Sequence, residues 1–171
     1  MHENKFNQKS QVLIKNFELF IKATQNESSI WNELSLILKD VVGYRLFTVL
    51  RMHANGIDVE RVFSTDTKAY PVGGRKALRR SPWAEMVLDK HLHFIGYGKK
   101  DIEWAFEDHE LIASLDLQAV LNMPLVQRGR CYGSLNLLTG GDNIYTEEDA
   151  QQVKPFAALA VTTLSRIALS T

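Results

Sequence analysis

Two apolar runs of strand length, residues 119–126 and 131–138, flank the polar connector Gln127-Arg128-Gly129-Arg130, and this spacing predicts a β-hairpin. Upstream the period changes from two to about 3.6. Residues 8–23 place Val12, Leu13, Phe17, Phe20 and Ile21 at helical spacing, and Ile14 and Leu19 widen that apolar face. A second helix is expected after an N-cap in Glu27-Ser28-Ser29, with Ile30, Leu34, Ile37, Leu38 and Val41 facing inward and Gly43 ending it. Two strands follow, residues 45–53 and 59–64, around an Asn55-Gly56 turn.

The segment from Tyr70 to Phe106 mixes glycine, basic and aromatic residues. Tyr70-Pro71-Val72-Gly73-Gly74-Arg75-Lys76 reads as a turn, and it lacks the Lys-Ser/Thr ending of a nucleotide-binding glycine loop. Ser81-Pro82 predicts an N-cap with proline in the first turn of a short helix to about Asp89. A further helical stretch begins near Asp101, and Asp108 is placed to cap another. The last helix opens at Thr146, with Asp149 completing a capping box and Glu147 and Glu148 complementing the helix dipole. Pro155 predicts a kink or break near Lys154, because it removes a hydrogen bond and crowds the preceding turn. Beyond it, Phe156, Ala157, Leu159, Ala160, Val161, Leu164, Ile167, Ala168 and Leu169 offer more apolar surface than one sheet contact needs. A dimer surface and a broad intramolecular contact both account for that surplus.

Composition narrows the function classes. With 171 residues, one core and one domain are expected. Twenty basic residues balance twenty acidic ones, so no net field draws the chain to nucleic acid or an anionic membrane. The single cysteine, Cys131, has no partner for an internal disulfide, and no apolar run is long enough to span a membrane or serve as a signal segment. A soluble cytoplasmic protein is the resulting expectation.

The strand carrying Pro124, the polar-Gly turn and Tyr132-Gly133-Ser134-Leu135-Asn136-Leu137-Leu138 resemble the signature of the GAF domain family, and the upstream order of helix, Gly43-Tyr44 break and two strands is similar. The resemblance spans roughly residues 29–169. It implies an α+β, PAS-like fold: a central antiparallel sheet of about six strands, helices on both faces, and first and last helices packed together. Residues 1–28 would then be an N-terminal, dimer-forming helix, and residues 29–171 the domain. The resemblance also implies a pocket beneath the 70–110 segment and a sensory or regulatory role without catalysis. The signal would leave through the terminal helices of a homodimer or through an output protein. The family's free methionine sulfoxide reductases use a set of cysteines, which the lone Cys131 does not supply. The alternative from another class is a dimerisation scaffold that binds no ligand.

Candidate ligand-binding residues follow from chemistry. Tyr70, Trp83, Trp104 and Phe106 offer aromatic walls, and Arg75, Asp108 and His109 offer converging polar groups, favouring a planar or anionic metabolite. Asn122 and Asn136 interrupt apolar strands, and a three-residue connector centred on Gly129 would set them opposite each other, where they either satisfy one another or meet a ligand. Core packing competes with ligand contact for the aromatic residues, and helix capping competes for Asp108. The cofactor is unspecified: no covalent chromophore is expected, and His91 and His93, at strand spacing, lack the tight donor cluster a metal needs.

Overall fold

A computed structural model describes the backbone of residues 2–168 and the side chains of residues 8–166. Along the chain come α1 (His2–Ala23), α2 (Glu27–Val41), β1 (Leu46–Met52), β2 (Asp58–Ser64) and β3 (Gly73–Ala77). Then follow α3 (Pro82–Ala84, continued by a wider π-type turn over Glu85–Asp89), β4 (Phe94–Tyr97), α4 (Gly98–Ala105) and α5 (His109–Ser114). The hairpin β5 (Ala119–Gln127) and β6 (Arg130–Thr139) and the helix α6 (Glu147–Ala168) close the chain. The strands form one six-stranded sheet in the order β3-β2-β1-β6-β5-β4, with every neighbouring pair antiparallel.

Alternation along the strands gives the sheet two apolar faces. Phe47 and Val49 of β1, Leu121, Met123 and Leu125 of β5, and Leu135 and Leu137 of β6 pack with Phe17, Trp31, Leu34, Leu38, Val153, Phe156 and Ala160 from α1, α2 and α6. Leu46, Val120, Cys131 and Leu138 point the other way, toward Tyr70, Trp83, Val87, Ile102 and Ile112. Each fully buried Leu or Phe contributes about 1.5–3 kcal/mol, which is why the three long helices hold to one face. α1 and α6 do pack together, with the Phe17 and Phe156 rings 6.1 Å apart. Val153, Phe156, Ala157, Ala160, Val161 and Leu164 of α6 are all buried within the chain, and Leu159 is partly buried against them. The expectations for the side chains of Ile167 and Ala168, and for Leu169, lie outside the described residues.

The hairpin reaches the expected register by a different route. Arg128 and Gly129 both have positive φ, 52° and 73°, making a two-residue turn that matches strand twist. Tyr132 is then the extra residue of a bulge: Val126 pairs with Cys131 but Leu125 pairs with Gly133. Turn and bulge together set Asn122 opposite Asn136, as a three-residue connector would have.

Several local expectations are corrected. α2 is capped by Asn26, whose Oδ1 accepts the Ser29 N–H at 2.8 Å; Glu27 is instead occupied with the Trp31 indole N–H at 3.0 Å and with Arg51. Residues 73–77 are an edge strand rather than a turn, because Gly73 and Gly74, at φ 81° and 75°, bend the chain back along β2. α4 begins at Gly98, before Asp101, whose carboxylate accepts the Tyr97 N–H at 2.8 Å. α6 runs through Pro155 without a break, since Val153, Phe156 and Ala157 are buried on both sides of the proline and hold both halves to the sheet. The Thr146–Asp149 capping box is present, Asp149 Oδ2 accepting the Thr146 N–H at 2.7 Å. No helix among the described residues is long and apolar enough to cross a membrane.

Gly133 is the position where a side chain is least tolerable: its φ is 150°, and a Cβ there would lie 1.8 Å from the Leu50 carbonyl oxygen. Gly133→Ala is expected to cost about 3 kcal/mol or more in urea unfolding, because backbone rather than a mobile side chain must give way. Pro155→Ala is expected to raise stability by about 1–3 kcal/mol in the same assay, restoring the hydrogen bond to the preceding turn.

Candidate functional site

Between the β1/β2/β6 face and the 70–110 segment lies a cavity of about 370 Å³. That is within the range, roughly 300–1,000 Å³, typical of small-molecule sites. Its floor follows strand alternation: Leu46, Thr48 and Leu50 from β1, Asn136 and Leu138 from β6, and Val59 and Arg61 from β2. Its rim and roof come from Tyr70, the run Lys76-Ala77-Leu78-Arg79, Ser81, Trp83, the Ala105–Asp108 junction and Ile112.

A chain of hydrogen bonds ties roof to floor. The Trp83 indole N–H donates to Asn122 Oδ1 at 2.9 Å, and Asn122 Nδ2 donates to Asn136 Oδ1 at 2.8 Å. Ser134 Oγ donates to the same Asn136 oxygen at 3.0 Å, while Asn136 Nδ2 donates to Thr48 Oγ1 at 3.3 Å. Asn122 and Ser134 are fully buried, whereas Asn136 is half-buried and reaches the cavity wall. An amide placed mid-sheet needs such partners, since burying it unpaired costs about 1–3 kcal/mol. Ser81 sets Trp83 in place from below, its Oγ accepting the Ala84 N–H at 3.1 Å. The Phe106 ring then packs on the indole at 5.9 Å between centroids.

The charged groups sit at the other end. The Arg61 guanidinium stacks over the Tyr70 ring, 4.8 Å from its centroid, and donates to the Pro71 carbonyl at 3.2 Å. Among the described residues it makes no contact ion pair, and loss of solvent, opposed in part by Tyr70 and the Asp108 carboxylate, holds its acidity constant below the usual arginine value. Tyr70 donates from its hydroxyl to Asp108 at 2.7 Å. Burial first, then that hydrogen bond to the carboxylate, pushes the Tyr70 phenol well above its ordinary value, so it stays a protonated donor. Arg79 pairs with Glu107 across the rim, and Lys76 is exposed beside them.

Of the nine sequence-derived candidates, Tyr70, Trp83, Phe106, Asp108 and Asn136 line this cavity, and Asn122 lies behind it, bonded to Trp83 and Asn136. Arg75 points away, its guanidinium held by Asp58 at 2.8 Å on the exposed edge strand. Trp104 is 43% exposed and packs on Phe94, with centroids 5.3 Å apart. His109 belongs to a separate hollow between α4 and α5. Asp108 occupies the N-cap position of α5 but makes no side-chain cap, because its carboxylate is turned to Tyr70. Arg61 and Thr48 were missed, and within the basic run of Arg75, Lys76, Arg79 and Arg80, which could hold a phosphate or carboxylate, Lys76 and Arg79 rather than the preferred Arg75 reach the cavity. The alternation Val59-Glu60-Arg61 carries the signal for Arg61: it shares a face with the buried Val59.

His91 and His93 precede β4 rather than lying on a strand, and His93 Nε2 sits 2.8 Å from Glu147. No group of three or more His, Cys, Asp or Glu among the described residues is arranged to hold a metal. Cys131 is buried, and burial pushes its thiol up.

No model of a known protein family matches the chain, and no curated protein matches it by sequence. Solved structures do match it in fold. The GAF domain of a phosphoenolpyruvate-protein phosphotransferase from Coxiella burnetii superposes with a TM-score of 0.77 at 11% identity, covering 94% of this chain and 95% of that one. The GAF domain of a two-component sensor histidine kinase from Bacillus halodurans gives 0.69 at 18% identity over 86% of this chain and 99% of that one. The phycocyanobilin-bound GAF domain from a cyanobacterial phytochrome gives 0.70 at 9% identity over 94% and 96%. The chain therefore has the GAF-domain fold.

Trp83→Phe keeps the ring but leaves the Asn122 oxygen unpaired in the core, and is expected to cost about 1–3 kcal/mol in denaturant unfolding. In the native protein Cys131 is expected to resist iodoacetamide at mildly alkaline pH and to label fully once unfolded, because its raised acidity constant and burial both suppress the thiolate.

Proposed function

We propose that this chain is a sensory or regulatory module that binds a planar or anionic small metabolite beneath the 70–110 segment. The observation that carries the reading is the cavity itself: a small-molecule volume whose floor ends in Arg61, a half-buried cation with no contact ion pair among the described residues. Asp108 attracts Arg61 without forming an ion pair with it and is already engaged by the Tyr70 hydroxyl, so an anion in the cavity would complete the pairing of the partly desolvated guanidinium. The aromatic wall of Trp83 and Phe106 supplies apolar contact area for a flat body. The fold is also one that occurs in a sensor histidine kinase and in a bilin-bound phytochrome domain, each a protein that ties this scaffold to sensing.

The output in this proposal runs through self-association. Val12 and Leu19 on α1 are 59% and 52% exposed, although the same helix sends Phe17 and Ile21 into the core. These exposed positions support a homodimer through the terminal helices, which would also serve the alternative reading of a scaffold without a ligand. The chemistry proposed is binding rather than catalysis, and the buried setting of Cys131 argues against a thiol-based reductase.

The test is to denature the protein purified from its native host and identify released small molecules by mass spectrometry, with thermal-shift screening of a metabolite library in parallel. A stoichiometric ligand, or one that stabilises by about 2.7 kcal/mol at a hundredfold excess over its Kd, supports the module. An empty cavity together with no stabilising compound, in a protein that sediments as a dimer, would favour the scaffold.

A further inference from the structure

The cavity is polarised, and its polarity names a class of ligand. Across the floor the register places Leu138 opposite Leu46, then Asn136 opposite Thr48, then Arg61 opposite Leu50, then Lys76 opposite Val59. One end is therefore apolar, and its leucines share one cluster with Ile112 and Trp83, against which Phe106 packs. The middle carries an amide and a hydroxyl, and Asn136 Nδ2 has one further N–H beyond the one it gives to Thr48. The far end carries cations. Gly73 stands opposite Arg61 on β3, so no side chain on that strand covers the guanidinium.

The charges on the wall set the valence. Arg61, Lys76 and Arg79 face Glu107 and Asp108, and three cations against two carboxylates leave one positive charge. Arg79 and Glu107 neutralise each other at the rim, and Asp108 is engaged by the Tyr70 hydroxyl. What remains open for a ligand is Arg61 with Lys76. Arg61 and Asn136 lie two strands apart and two residues out of step, about 10 Å across the sheet and about 7 Å along it, so one compact anion does not reach both.

Resting on the binding reading above, we infer that the ligand is an aromatic monocarboxylate, its carboxylate on Arg61 and Lys76, its ring against Trp83 and Phe106, and any ring substituent toward Asn136 and Thr48. Arginine suits this task, since its planar fork pairs with a carboxylate through two parallel hydrogen bonds. A dianionic phosphate ester would leave a surplus negative charge beside Asp108 and Glu107, and a cationic amine would oppose Arg61 directly.

The experiment titrates the full chain with phenylacetate, para-hydroxybenzoate and indoleacetate, and with phenylacetamide, phenethylamine and phenyl phosphate as charge controls. Binding is followed by calorimetry and by Trp83 fluorescence, with Trp83→Phe identifying that signal. The expected result is that at least one carboxylate binds about tenfold or more tighter than phenylacetamide, phenethylamine and phenyl phosphate. Arg61→Gln should erase the preference for carboxylate over amide by weakening the carboxylates about tenfold more than phenylacetamide, with the circular dichroism spectrum retained. Lys76→Gln, on an exposed strand that does not threaten folding, should reduce the preference about threefold. The inference is overturned, with the binding reading intact, if phenylacetamide, phenethylamine or phenyl phosphate perturbs Trp83 as tightly as every carboxylate, or if both variants keep the full preference. If no compound of any charge perturbs Trp83 and no ligand is released on denaturation, the binding reading falls as well.

Discussion

The hydrogen bond from the Trp83 indole to the fully buried Asn122 amide is the constraint on which the site depends. It joins the first turn of α3, an element contributed by a long irregular segment, to the centre of β5. Without it the segment would have only apolar contacts, which are strong but not directional. With it, the indole is held at one height above the sheet, and Phe106 packs against a surface already in place. The same amide passes the bond on through Asn136 to Thr48, so three adjacent strands, β5, β6 and β1, share one polar seam. Such a seam is favourable only when each member is satisfied, and it then specifies one arrangement more sharply than apolar packing alone.

The two faces of the sheet do different work because their coverings differ. On one face, three long helices meet strands whose inward residues are nearly all apolar, and burial is close to complete. On the other, short elements and connections cover the sheet, and they lack the length to fill the space over β1, β2 and β6. The cavity is the result of that mismatch. Its boundary is stitched by polar contacts, Tyr70 to Asp108 and Arg79 to Glu107, which link the segment's own parts rather than the segment to the sheet. The Arg79–Glu107 pair at the exposed rim is worth little, while the part-buried Tyr70–Asp108 hydrogen bond is stronger and fixes the two parts of the segment that it joins.

Charge is distributed to match. The molecule is neutral overall, yet the positive groups of the cavity are concentrated at the β2/β3 end while the hydrogen-bonding and apolar groups occupy the β1/β6 end. In the proposed binding module, local placement rather than net charge sets the preference, as expected when interactions beyond about one Debye length are screened.

The sequence by itself determined the elements whose signals are local and repeated: the α1 and α2 periodicities, the β5–β6 hairpin, the Ser81-Pro82 start of α3 and the capping box of α6. Hydrophobic period and cap chemistry act within a few residues, so they can be read before the chain folds. It also brought forward Tyr70, Trp83, Phe106, Asp108 and Asn136, residue types whose mixed polar and apolar character suits a cavity wall. Tertiary structure alone decided the rest. Gly73 to Ala77 became a strand only because β2 offered an edge; α6 continued through Pro155 only because the sheet holds both halves; and Arg75 turned outward to Asp58, leaving Arg61 as the inward cation. Those outcomes depend on partners distant in the chain or on which face of a strand meets the core, and a single residue's difference in register reverses the face.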